Sequence, residues 1–167
     1  MRWIELAAFT TVFRTHEGNI PEVNHQFYSD EETLEHFVRF ARIYAAWKPH
    51  RMELVKEASE KGLPVVRHPY IHYPRDPEVL NLRYQFMVGT KLMVAPVLDP
   101  GTDAVEVYLP AGGWVHLWTG DRYGSSDRGV YETVSAPIGE PAVFFKEDAA
   151  EGLLFREELR RGGLLRG

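Results

Sequence analysis

Pro64, Pro69, Pro74 and Pro77 follow Gly62 at short intervals and bar any long helix from that point on. They divide the chain into two unlike halves. Downstream, short apolar runs recur at 86–88, 92–98, 104–109, 114–118, 130–134 and 142–145. Turn chemistry separates them at Asp99-Pro100-Gly101, Ala111-Gly112-Gly113, Thr119-Gly120-Asp121 and Gly124-Ser125-Ser126. Val105, Val107 and Leu109 alternate with Glu106 and Tyr108, the pattern of a half-buried strand. Short strands at this spacing predict an antiparallel β-sandwich. Residues 153–159 read as a short helix that ends at Arg161-Gly162-Gly163, with a frayed tail beyond.

Upstream of Gly62 the spacing is helical. Trp3, Leu6 and Ala7 share one face of a helix over residues 2–9, and nothing caps its start. Residues 10–13 are β-prone. Residues 20–28 form a loop marked by Pro21 and Asn24. Ser29 with Glu32 predicts a capping box, and Asp30 and Glu31 suit the positive end of the helix dipole. Leu34, Phe37, Val38, Ala41, Tyr44 and Ala45 supply the stripe of this helix. Pro49 interrupts it, and a second helix over 51–61 stops at the C-cap residue Gly62. The first half contains one strand and cannot close a sheet by itself.

Composition narrows the function. Hydrophobic residues make up 44% and charged residues 26% of the 167, which is a globular balance. No apolar run approaches the roughly 20 residues of a membrane span, so no membrane partner is expected. The net charge of −5 offers no basic stripe for phosphate, and Arg160-Arg161 with Arg166 is too short to make one; no nucleic-acid partner is expected. The chain has no cysteine, which excludes disulfides and thiol catalysis and fits a cytoplasmic location.

Chemistry concentrates in Arg14-Thr15-His16-Glu17-Gly18-Asn19, where the predicted strand leaves the core. His16 can exchange hydrogen bonds with a sugar hydroxyl, or it can be a structural histidine tied to a carboxylate. Arg14, two residues earlier, shares its face and suits pairing with a carboxylate on a neighbouring strand. Glu17 suits a solvated or hydrogen-bonding role better than that of a catalytic acid. His68 and His72 have a zinc-like spacing, but Pro69 opposes the helical geometry that would bring them together; no metal and no cofactor are expected. There is no Gly-rich phosphate loop and no nucleophile elbow.

In their order along the chain, several stretches resemble the C-terminal part of glycoside hydrolase family 31, the α-glucosidase and α-xylosidase family. They are Arg2-Trp3-Ile4-Glu5-Leu6-Ala7-Ala8-Phe9, Phe13-Arg14-Thr15-His16, Gly62-Leu63-Pro64-Val65-Val66-Arg67, Gln85-Phe86-Met87-Val88-Gly89, Leu92-Met93-Val94-Ala95-Pro96-Val97, Val107-Tyr108-Leu109-Pro110 and Trp114-Val115-His116-Leu117-Trp118-Thr119-Gly120. Arg14 to Asn19 and Asn24-His25-Gln26-Phe27-Tyr28-Ser29-Asp30 are most similar to the bacterial sulfoquinovosidases of that family, although His25 stands where their pattern has Trp.

The resemblance implies the C-terminal end of a (β/α)8 barrel over residues 1–84, followed by a β-sandwich domain over 85–167. Residues 10–16 would be the last barrel strand, and 29–61 the helices that close the barrel. His16 would bind a hydroxyl of the sugar, with Arg14 supporting it, at the C-terminal barrel face. The implied mechanism is retaining, with two Asp carboxyls about 5–5.5 Å apart. Neither maps onto Asp30, Asp76, Asp99 or any other acid of this chain. The expectation is therefore a chain inactive alone, acting on a small α-sulfoquinovoside or α-glucoside together with a missing barrel portion or a complementary subunit. The alternatives are an α-glucosidase or α-xylosidase fragment, or a non-enzymatic sandwich that binds carbohydrate or protein; an exposed Trp114 or Trp118 would favour that module.

Overall fold

The structure is a computed structural model that describes residues 1–165; Arg166, and with it part of the short terminal basic group, lies outside the described residues. Its centre is an antiparallel six-stranded sheet. The strands are β1 (Val66–Arg67), β2 (Phe86–Val88), β3 (Leu92–Ala95), β5 (Trp114–His116), β6 (Arg122–Tyr123) and β8 (Ala142–Lys146). They lie in the order β1-β2-β3-β8-β5-β6. The remaining strands, β4 (Ala104–Leu109) and β7 (Val130–Ser135), pair with each other as a separate ribbon, from Ala104 opposite Ser135 to Leu109 opposite Val130.

Both faces of the central sheet are covered, and strand alternation assigns each side chain to one of them. Leu92, Val94, Val143 and Phe145 point to a helical layer, where they meet Phe9, Phe40, Ile43, Trp47, Phe155 and Leu159. Met87, Met93, Ala95, Ala142, Phe144 and Trp114 point to the ribbon and meet Val107, Leu109 and Val134. The result is three layers: helices, sheet and ribbon. Gln85 clamps the ribbon in place. Its amide donates to the Tyr108 carbonyl at 2.7 Å and accepts the Tyr108 N–H at 2.9 Å, so a side chain replaces a missing strand neighbour.

The helical layer is α1 (Arg2–Ala7), α2 (Glu31–Ala46), α3 (Lys48–Lys61) and α4 (Ala150–Arg161). Three details differ from the sequence reading. Asp30, not Ser29, caps α2: its carboxylate accepts the Thr33 N–H at 2.7 Å, while the Ser29 hydroxyl closes the preceding turn on the Gln26 N–H. The buried side of α2 is Phe40 and Ile43, continued by Trp47, whereas Leu34 and Val38 are exposed. On α1 it is Glu5 that is buried and Trp3 that is exposed. The reason lies in polar pairing: the Glu5 carboxylate finds Gly139 and Arg2, and that decides which way the short helix turns.

Pro49 falls in the first turn of α3, where its missing N–H costs nothing. Gly62 ends α3 in the left-handed conformation expected of it. Leu164 is buried against the core, so the tail is held rather than frayed at that point.

Residues 10–16 do not form a strand, which corrects the expectation. A strand exists only as half of a ladder. Among the described residues, none pairs with this segment. It is fixed by side chains instead: Tyr44 donates to the Thr11 carbonyl at 2.8 Å and Phe13 stacks on Phe37, while Trp47 donates to the carbonyl of the preceding Ala8 at 2.8 Å. No helix among the described residues is long and apolar enough to cross a membrane.

Candidate functional site

A cavity of about 650 Å³ opens where α1, the 12–16 segment and the start of α2 meet. Its lining is part apolar, with Trp3, Leu6 and Phe27, and part polar, with Arg14 and His16 from the 12–16 segment and His25 and Gln26 from the 24–28 loop. The rigid part is the aromatic stack. Phe13, Phe37 and Phe27 form a continuous column, with centroids 5.2 Å apart in the first pair and 4.4 Å in the second. This column sets the 12–16 segment against the 24–28 loop and gives the cavity its two walls.

His16 and Arg14 both line this cavity. His16 is exposed, and its Nδ1 lies 2.6 Å from the Glu17 carbonyl oxygen. That contact places a proton on Nδ1 and leaves Nε2 for a ligand. The structural alternative, a carboxylate partner for His16, is not formed among the described residues. Nor does Arg14 find the carboxylate expected on a neighbouring strand; it is exposed, without a hydrogen-bond or ion-pair partner among the described residues. Glu17 is exposed on the loop.

No Asp or Glu lines this cavity. One acid, Asp30, lies behind His25 and outside the lining. Asp30 Oδ2 is 2.8 Å from His25 Nε2, and the Thr33 hydroxyl donates to the same oxygen at 3.0 Å. The Thr33 N–H in particular holds the Asp30 carboxyl below its ordinary range. His25 and Asp30 were not chosen as site residues from sequence. The signal available was the Asn24-His25-Gln26 departure, together with the helix start immediately after Asp30.

The other candidates are structural. His68 accepts the Tyr70 N–H on Nδ1 and donates from Nε2 to the Leu82 carbonyl, while His72 faces the Arg67 guanidinium. The two imidazoles serve different partners, and no cluster of three or more metal-ligating side chains is found among the described residues. Trp114 and Trp118 are buried and donate to the Pro110 and Pro141 carbonyls. Neither offers a surface platform for a glycan, so the binding-module alternative loses its supporting feature.

The helix-backed antiparallel sheet with its ribbon has the build of the C-terminal domain of a glycoside hydrolase. The profile of the glycosyl hydrolase family 31 C-terminal domain matches residues 62–150, and the chain belongs to glycosyl hydrolase family 31. It is 44% identical over 164 residues to the sulfoquinovosidase of Agrobacterium fabrum, covering 98% of this chain and 24% of that protein. To the sulfoquinovosidase of Escherichia coli it is 42% identical over 155 residues, covering 93% of this chain and 22% of that one. The solved structure of a family 31 sulfoquinovosidase from E. rectale, in complex with the aza-sugar inhibitor IFGSQ, matches with a TM-score of 0.89 at 37% identity, over 96% of this chain and 23% of the other. The chain thus spans about a quarter of the length of the relatives it matches.

Proposed function

We propose that this chain is the C-terminal part of a retaining α-glycosidase of the sulfoquinovosidase kind. Residues 1–84 complete a (β/α)8 barrel, and 85–167 form the sandwich domain behind it. Residues 10–16 take up a strand ladder when a neighbouring barrel strand lies beside them. The observation that carries the reading is the likeness at 42–44% identity, across nearly the whole chain, to proteins named sulfoquinovosidases, against 33% to an α-glucosidase from Bacillus thermoamyloliquefaciens. The carboxylate-free lining of the cavity supports the second half of the proposal. The chain contributes a wall with His16 as a sugar-hydroxyl ligand and Arg14 beside it, and the Asp pair comes from polypeptide outside it.

The test is hydrolysis of chromogenic α-sulfoquinovoside and α-glucoside by the chain alone and by the chain together with the barrel polypeptide, supplied in cis or co-expressed. Turnover is expected only in the combination, with the sulfonated substrate preferred. Turnover by the purified chain alone, or a combination inactive on both substrates, would overturn the proposal.

A further inference from the structure

We propose that His25 is a second substrate-contacting imidazole of this site, aimed at a hydroxyl of the bound glycoside and positioned by Asp30. The inference rests on the function proposed above. Its ground is a geometry that helix capping alone does not explain. Asp30 already receives two capping bonds, from the Thr33 N–H at 2.7 Å and the Thr33 hydroxyl at 3.0 Å. His25 adds a third contact, with Nε2 2.8 Å from Oδ2 and 3.2 Å from the Thr33 hydroxyl. A carboxylate that accepts from one ring nitrogen fixes the rotation of the ring and leaves the other nitrogen for a ligand.

Here the other nitrogen is Nδ1, which has no protein partner among the described residues. The His25 side chain keeps 64% of its exposure and lines the cavity that His16 and Arg14 line from the other wall. A histidine serving packing would be buried; one serving the cap would spend its hydrogen bond where a donor was lacking. His25 does neither. With Nε2 donating to Asp30, Nδ1 is left to exchange a hydrogen bond with a hydroxyl of a sugar. The base of α2, anchored by the Phe27–Phe37 stack at 4.4 Å, gives the loop the rigidity that a positioning role needs.

The experiment uses the combined enzyme. His25→Ala is expected to raise KM about tenfold or more with a smaller change in kcat and an unchanged melting temperature. Asp30→Asn, which keeps an acceptor for the Thr33 N–H, is expected to raise KM severalfold by releasing the ring. Added imidazole is expected to restore part of the loss in His25→Ala. A His25→Ala enzyme with wild-type KM overturns the inference, as does a KM rise fully accounted for by a fall in melting temperature. If His25→Ala does not fold, His25→Gln is read by the same criteria. A wild-type combination inactive on every α-glycoside overturns the proposed function itself and this inference with it, so the two failures are distinct.

Discussion

The Glu5 carboxylate accepts the Gly139 backbone N–H at 2.7 Å, joining the first helix of the chain to a turn of the sandwich 134 residues away. Glu5 also holds Arg2 at 2.9 Å, and the Arg2 guanidinium reaches the Thr102 and Ala136 carbonyls. This network ties the cavity-bearing segment to the sandwich. Removing one member of a buried charged network leaves its partners without compensation, at a cost of about 3 kcal/mol. Glu5→Ala should lower the urea midpoint accordingly. Glu5→Gln, which keeps an acceptor for Gly139, should lose clearly less. Equal losses in the two variants would contradict this account.

Burial pushes the pKa of His36, His50, His72 and His116 down, His116 to about 4. A histidine whose folded pKa lies below its unfolded value of about 6.5 takes up protons on unfolding, so its stabilising contribution is present above pH 6.5 and is lost as the pH falls. Stability should therefore decline from pH 6.5 towards pH 4. His116, enclosed by Tyr123 and Phe144, should account for about 3 kcal/mol of that decline. His116→Gln should flatten the profile of unfolding free energy against pH; an unchanged slope would refute the assignment.

Gly89 turns the chain between β2 and β3 at φ +59°, and a Cβ there would lie 2.6 Å from Leu54 Cδ2. Gly89→Ala should destabilise by about 1–3 kcal/mol, through left-handed strain and the clash together. A double-mutant cycle with Leu54→Ala separates the two. The clash should vanish in the double variant and the strain should remain, giving a favourable coupling. Strict additivity would rule out the contact.

Trp3 is 76% exposed on α1, and Val12 and Ile20 are exposed nearby in sequence. Trp3→Ser should change stability by less than about 0.5 kcal/mol, since it uncovers no core. It should, however, reduce association of the isolated chain, because it breaks up an exposed apolar surface. Sedimentation velocity over a range of concentrations checks this, and a monodisperse wild-type monomer would count against it.

The sandwich strands were legible in the sequence because their signals are local. The runs Leu92 to Ala95 and Ala142 to Phe145 are apolar throughout, as strands covered on both faces must be, and turn chemistry bounds them. The two-residue strands β1 and β6 carry no such pattern and exist through their partners, Met87 and Val88 for one, Trp114 and Val115 for the other. The faces of α1 and α2 were misjudged for a related reason. Each has apolar residues on more than one side, and distant partners choose among them: Gly139 for Glu5, and the sheet core for Phe40 and Ile43. The density of polar residues from Arg14 to Asn19 drew attention to a segment that lines the cavity. The His25–Asp30 contact depends on how a loop folds back on a helix start, which no spacing rule encodes.

The account stands most directly on His16 as a ligand of the bound sugar. In the combined enzyme, His16→Ala should lower kcat/KM for the α-sulfoquinovoside by about 10- to 100-fold, the scale of one lost hydrogen bond to substrate, with the melting temperature preserved. A His16→Ala enzyme that folds normally and keeps wild-type kcat/KM would contradict it.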